Sequence, residues 1–452
     1  MHRFFFQVFF LGILVLSFCS CDQKQPEHVA KESAPPAVPL PHYQSLDPQL
    51  VELATHALPF WRDCRDEKPA LVLMSFDPFL QPIPTVLRDR ARELVLTGTL
   101  GDIDRHGGFN RPDPIVMPTQ ALSAALEADL FSRIYWVFPA KVEPVQLNLA
   151  TFREQMVKAQ FFSEEEAQDL VLSQGTFSGQ LRGVPFNAVH YGELPEIELN
   201  GPMILHVDLS FFRGLYDDEI KTPLYDLIHQ SALQILESGW QPLSLTLSYS
   251  TLQGAISLDT RFVLTDLAQV LRDPSLLDGD MPRPWQLRAE ALYAADMFTE
   301  SKKLELYQQA VKLAPQDPTA VYDLFQAHFL AREIDAALLA LDRAVDLDPG
   351  YGAAYLRLAE MALEDGNVEM TLLLLEKAAA VFPANPFIPL QRADLLLQTG
   401  RGEAALALLE PLLGKNWSPT YHPDILKTLV EMKEVALNPE SETEEPHDDR
   451  KN

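Results

Sequence analysis

Hydrophobic and polar positions divide the chain into stretches of different character. From Leu50 to Asp278, compact apolar runs alternate with helical periodicities. Ala70-Leu71-Val72-Leu73-Met74-Ser75-Phe76-Asp77 runs apolar to a terminal acid and is closed by Pro78. Arg133-Ile134-Tyr135-Trp136-Val137-Phe138 is aromatic-rich and stopped by Pro139. Met203 to Leu209 opens after Asn200-Gly201, and Leu243 to Tyr249 alternates residue by residue. Such runs predict buried strands. Helices are predicted over Leu50–Phe60, over Thr119–Phe131, from the capping box Ser163-Glu164-Glu165-Glu166 through Leu172, over Leu224–Leu236 and over Asp259–Leu271. Strands interleaved with helices across 50–278 predict an α/β three-layer domain around a mostly parallel sheet. In such sheets, functional groups collect at the C-terminal strand ends, where Asp77 and Asp208 fall. The plainer reading is that each acid caps the turn that follows.

Beyond Pro284 the pattern changes. Pro315, Pro349 and Pro383 are 34 residues apart. In the same period, Ala291, Phe325, Ala359 and Ala393 share one register, and Ala310, Ala344 and Ala378 share another. Gly366 and Gly400 mark the turn within each pair, with Phe298 at that register in the first. This spacing resembles tetratricopeptide repeats, which implies an all-α solenoid over 284–417 with about four helix pairs. A solenoid of this kind offers a concave face to a protein or peptide segment, and Tyr322, Tyr355 and Arg357 are the candidate contacts. The alternative is a structural array packed on the large domain. A terminal helix is expected over 418–436 and an acidic disordered tail over 437–452.

The N-terminus adds a location. A thin basic start precedes an apolar run from Phe4 to Phe18, the length of a signal-peptide core, which ends at Phe18-Cys19-Ser20-Cys21. This resembles a bacterial lipoprotein signal, implying removal of the segment before a lipidated Cys21. Asp22 resembles an inner-membrane retention signal, so the body is expected on the periplasmic side of that membrane. Residues 22–48 are Pro-rich and without hydrophobic period, an extended spacer. The net charge of −28 argues against a nucleic-acid partner. Of three cysteines only Cys64 lies in the folded part, so that part has no internal disulfide or zinc-type spacing.

Asp77 at a strand end, Arg133 to Pro139, Gly183-Val184-Pro185, the strand from His206 to Phe212 and the segment before Leu252-Gln253-Gly254 occur in an order that resembles the arginase/deacetylase-like α/β fold, in a ureohydrolase-like branch. The resemblance implies divalent metals held on strand-end D-x-H-x-D and D-x-D patterns, activating a water against a C–N bond. Here Phe79 and Gln81 stand where the first pattern needs His and Asp, and Ser210 stands where the second needs Asp. Asp77 and Asp208 alone do not make a metal site. If Gly101 to Gly108 were strand-like, Asp102, Asp104 and His106 would share a face and could relocate one; the plainer reading is a solvated acidic turn. His190 and His206 are expected as satisfied core or rim histidines. The reading is therefore a membrane-anchored extracytoplasmic scaffold with a catalytically degenerate α/β domain, no catalytic residue assigned and no cofactor expected. Two alternatives are a metal-dependent hydrolase of C–N bonds and a small-ligand binder using the strand-end cleft.

Overall fold

The computed structural model describes residues 43–253, 256–297 and 299–438. The signal segment with Cys21, nearly all of the spacer and the tail from 439 lie outside them. Eight strands form one sheet: β1 (Gln49–Val51), β2 (Ala70–Met74), β3 (Arg133–Phe138), β4 (Val171–Ser173), β5 (Thr176–Leu181), β6 (Val184–His190), β7 (Met203–Asp208) and β8 (Ser244–Ser248), in the order β1-β8-β7-β2-β3-β6-β5-β4.

Alternation along the central strands explains their double coverage. On β2, Leu71 and Leu73 enter one core, which includes Leu94 and Leu122 from helices Arg88–Thr97 and Ala121–Glu127. Val72 and Met74 enter the other, with Ile228 and Leu264 from helices Leu224–Glu237 and Phe262–Arg272. Both strand faces are buried, so β2 and β7 read as continuous apolar runs.

The sheet is mixed, which corrects the expectation of a mostly parallel one. From β1 through β6 the neighbours run parallel, but β6, β5 and β4 form an antiparallel meander. Its two turns are Gln174-Gly175 (φ 45° and 73°) and Arg182-Gly183 (φ 50° and 80°). A two-residue connection with both residues left-handed returns the strand beside itself, so neither link can be a crossover. The N-terminal expectation is also corrected. Instead of one helix over 50–60, β1 pairs in parallel with β8, and short helices Ala54–Ala57 and Leu58–Arg62 follow. The Ser163 capping box forms, its hydroxyl accepting from Glu166 N at 3.2 Å, but the helix stops at Gln168 and β4 begins at Val171.

Downstream, helices pair as Arg283–Asp296 with Glu300–Leu313, Pro318–Leu330 with Ile334–Leu347, Ala353–Glu364 with Val368–Val381, and Phe387–Gln398 with Gly402–Leu413. The second helices start at Glu300, Ile334, Val368 and Gly402, 34 residues apart each time. Ala291, Ala359 and Ala393 are fully buried where paired helices cross, with Phe325 admitted at the same register. Gly366 and Gly400 have φ of 72° and 73°, and Arg332 takes that left-handed place in the second pair at 64°. Phe298, at the same register, lies outside the described residues. Helix Ile425–Leu437 closes the array.

Candidate functional site

The C-terminal ends of β2, β7 and β8 bring together Asp77, Asp208 and a set of hydroxyls. In the pairing of β7 with β8, His206 lies opposite Thr246 and Asp208 opposite Ser248. A directed hydrogen-bond chain results. The Trp61 indole can only donate, and reaches Thr246 Oγ1 at 3.4 Å. Ser248 gives its one proton to Asp208 Oδ2 at 2.5 Å, so it accepts from His206 Nε2–H at 3.0 Å, and the bare Nδ1 accepts from Thr246 Oγ1 at 2.7 Å. Burial pushes His206 down to about 3, in keeping with this neutral tautomer. The chain therefore ends on Asp208 as its acceptor.

Asp208 receives further donors. Ser250 Oγ reaches Oδ2 at 2.5 Å and Ser210 N reaches Oδ1 at 2.9 Å. Burial pushes this carboxyl up, while its contacts with Ser210, Ser248 and Ser250 pull it back. Asp77 lies nearby. Its Oδ1 accepts from Phe79 N at 2.7 Å, and Phe79 has φ 56°, a left-handed conformation that a buried aromatic adopts only when its surroundings impose it. Although the residue is partly exposed, its carboxyl is desolvated. Burial pushes it up to about 7 against the pull of Phe79 N–H, and the charge of Asp208 adds to the rise.

These contacts show how the strand-end positions expected to carry metal ligands are used. Ser210 sends its N–H to Asp208 and its hydroxyl accepts from Phe76 N at 3.2 Å, so it closes the strand end instead of offering a carboxylate. Lone pairs of Asp208 that a cation would need are turned toward N–H and O–H groups. Asp102, Asp104 and His106 lie on helix Leu100–His106 rather than on an extended loop, so alternate residues do not share a face. Asp102 closes a capping box with Thr99 (N···Oδ2 2.9 Å) and pairs with Arg105. Asp104 pairs with Arg111 at 2.6 Å, and His106 Nδ1 lies 2.7 Å from Asp113 O. Among the described residues, no three His, Cys, Asp or Glu side chains converge as a metal-binding group. Concavities of about 270 and 540 Å³ are lined by Pro82, Ile83, Arg88, Glu127 and Arg182 and by residues around Pro144 and Glu193; neither Asp77 nor Asp208 lines them.

His190 is satisfied as expected, its Nε2 lying 2.9 Å from Val142 O and its Nδ1 accepting from Gly192 N. The array candidates need correction. Tyr322 and Tyr355 are buried, each 3% exposed, and only Arg357 is on the surface. Tyr322 stacks on Tyr351 with ring centroids 4.4 Å apart, and Tyr355 donates to Asp342 at 2.6 Å. Both tyrosines pack inside the array, in one core with Leu341 and Leu375, while the array also meets the α/β body nearby.

Two buried arginines make that junction. Arg288 of the first pair reaches Asp266 on helix Phe262–Arg272 at 3.2 Å, Asp317 at 3.1 Å and Asp323 at 2.9 Å, and donates to Tyr225 Oη at 3.0 Å. Trp285 stacks on Tyr225 beside it. Burial pushes Asp266 and Asp323 each up to about 7, with Arg288 opposing. Arg261 reaches Glu52 at 2.7 Å and Asp348 of the array at 2.9 Å, and lies over the Tyr249 ring at 3.9 Å. A second tie lies beyond the last pair, where Ser418 N donates to Pro112 O at 2.9 Å and Tyr421 Oη to Gln120 at 3.1 Å.

Comparison with models of known protein families gives no match, and no curated protein matches the chain. Among solved structures, one titled "Crystal structure of MamA" is similar, at 19% identity and a TM-score of 0.24, covering 40% of this chain and 98% of that one.

Proposed function

We propose that this chain is an extracytoplasmic scaffold, held at a membrane by lipid on Cys21, that presents its helix-pair array to a protein partner. The observation that carries this reading is the array itself: helix pairs at a 34-residue period, braced on the α/β body at two places by Arg288 and by the segment after Trp417. A repeat array fixed in this way offers a preformed surface, and binding to a preformed surface loses less conformational entropy. The α/β body would be a non-catalytic relative of arginase/deacetylase-like domains, serving as the brace. In support, hydroxyls and N–H groups occupy Asp208 where a catalytic relative would set a divalent ion. No observation favours the hydrolase or the small-ligand binder over this reading.

Two measurements test it. Metal analysis of the purified full chain, after incubation with zinc, manganese or magnesium and desalting, is expected to give less than stoichiometric metal, unchanged by Asp208→Ala. Stoichiometric metal lost on that substitution would restore the hydrolase. Crosslinking in the source cells, read by quantitative mass spectrometry, is expected to capture a partner through array residues; crosslinks confined to the α/β body would overturn the scaffold role of the array.

A further inference from the structure

The helix face that grips the α/β body in the first pair recurs in the later pairs, where its last turn is exposed. In the first pair this face is occupied: Arg288 bonds Asp266 of the body, and Asp296 accepts from Glu219 N at 2.7 Å. One period of 34 residues on, the place of Arg288 is taken by buried Tyr322 and that of Asp296 by Leu330, which is 54% exposed. Two periods on, the same places hold Leu356, half-buried, and Glu364, exposed. On helix Ala353–Glu364, Leu356, Glu360, Leu363 and Glu364 follow the i, i+4, i+7, i+8 spacing of a single face. Leu363 is 42% exposed and Glu360 lies in the open beside it. The interface with the body thus runs out into a stripe of leucines edged by two glutamates.

We infer that this stripe binds a basic amphipathic helix from another protein. The inference rests on the scaffold reading above and names the partner's chemistry. Three features select that occupant. The stripe continues an interface that the chain already uses, so its backbone course suits packing against secondary structure. Glu360 and Glu364 stand one turn apart and repel each other, and each Lys or Arg of a partner relieves that repulsion. Arg357 is the nearby cation acting on Glu360, and it offsets only part of this charge. A second copy of the chain, at a net charge of −28, would bring the same glutamates against themselves. Leucines spaced along one helix face accept the ridge of an incoming helix, whose apolar anchors recur at the same interval.

The test uses the full chain and three fluorescent peptides: a Lys/Leu peptide patterned as an amphipathic helix, a scrambled peptide of the same composition, and the Glu/Leu counterpart. Anisotropy titrations at physiological salt are expected to favour the patterned Lys/Leu peptide by at least about tenfold over either other peptide. Leu363→Asp, and separately Glu360→Lys with Glu364→Lys, are expected to abolish that preference. Leu339→Asp, at a 73% exposed leucine of helix Ile334–Leu347, is expected to leave it intact. All are surface substitutions, and an unchanged thermal midpoint confirms folding. Equal affinity for the scrambled peptide, or a preference that survives Leu363→Asp, would overturn the inference. Array crosslinks in cells that persist in Leu363→Asp would sink this inference while leaving the scaffold reading standing; an array that captures nothing would sink both.

Discussion

Asp208 is held by donors whose protons all point toward it, and that polarity makes the network testable one atom at a time. Ser248→Ala removes the link between His206 and Asp208 and leaves two buried groups short of a partner. The expected loss is about 1–3 kcal/mol, read as a lower urea midpoint with an unchanged slope. At the junction, Arg288→Ala strands three carboxylates around an empty place, two of them fully buried, and is expected to cost about 3–5 kcal/mol. The pH dependence follows from the same groups. Asp266 and Asp323 each titrate near 7 in the fold against an ordinary value of 3.8, so the native state holds protons that the unfolded chain has released. Their contribution to stability is therefore greatest on the acid side and is lost as pH rises from about 4 through about 7. Thermal midpoints of Asp323→Asn, followed across that window, are expected to fall less steeply than those of the parent. His206 works in the opposite direction, since its folded value near 3 makes protonation below its ordinary 6.5 unfavourable to the fold. Comparison of variant with parent cancels it.

At the scale of elements, legibility followed the strength of the local pattern. β2, β3 and β7 were readable as near-continuous apolar runs, β8 by its alternation, and the helix pairs because their register repeats. The meander of β4, β5 and β6 was not, since Thr176-Phe177-Ser178-Gly179-Gln180-Leu181 is half polar and its turns use Gln174 and Arg182 where Asn or Asp would have announced them. β1 has three residues, too few to carry a period, and depends on β8 for its existence. Asp77 and Asp208 were visible as strand-end acids, but Ser248 and Ser250, the alternate residues opposite, gain meaning only once the register is known. Helix Leu100–His106 was hidden because three glycines (Gly101, Gly107 and Gly108) and three charges mask a Thr99 cap. Turns within the helix pairs offer a direct check. Arg332 holds φ 64° where the next two pairs use glycine, so Arg332→Gly is expected to be neutral or stabilising by up to about 1 kcal/mol, whereas Gly366→Ala loses about 1 kcal/mol. Both are measurable in chemical denaturation.

For the molecule as a whole, the buried tyrosines mark where sequence reasoning ends. A repeat pattern says which residues share a face, yet not that Tyr322 stacks on Tyr351 and Tyr355 bonds Asp342 inside the array. Tryptophans report on both parts, Trp61, Trp136 and Trp240 in the body and Trp285 and Trp417 in the array or at its end. Unfolding followed by fluorescence and by far-ultraviolet dichroism is expected to coincide, and to separate in Arg288→Ala. The shared arginines also set a timetable for the nascent chain. β1 emerges early and must wait for β8 before it has a neighbour, and Arg261 meets Glu52 long before Asp348 has been translated. Asp266 stays without its guanidinium until Arg288 appears, and that guanidinium stays incomplete until Asp317 and Asp323 leave the ribosome. A product released between Asp296 and Asp317 would carry a buried cation lacking two of its partners beside the exposed edge of Trp285. Cellular proteases are expected to clear such fragments, so the α/β body and its array persist together or not at all.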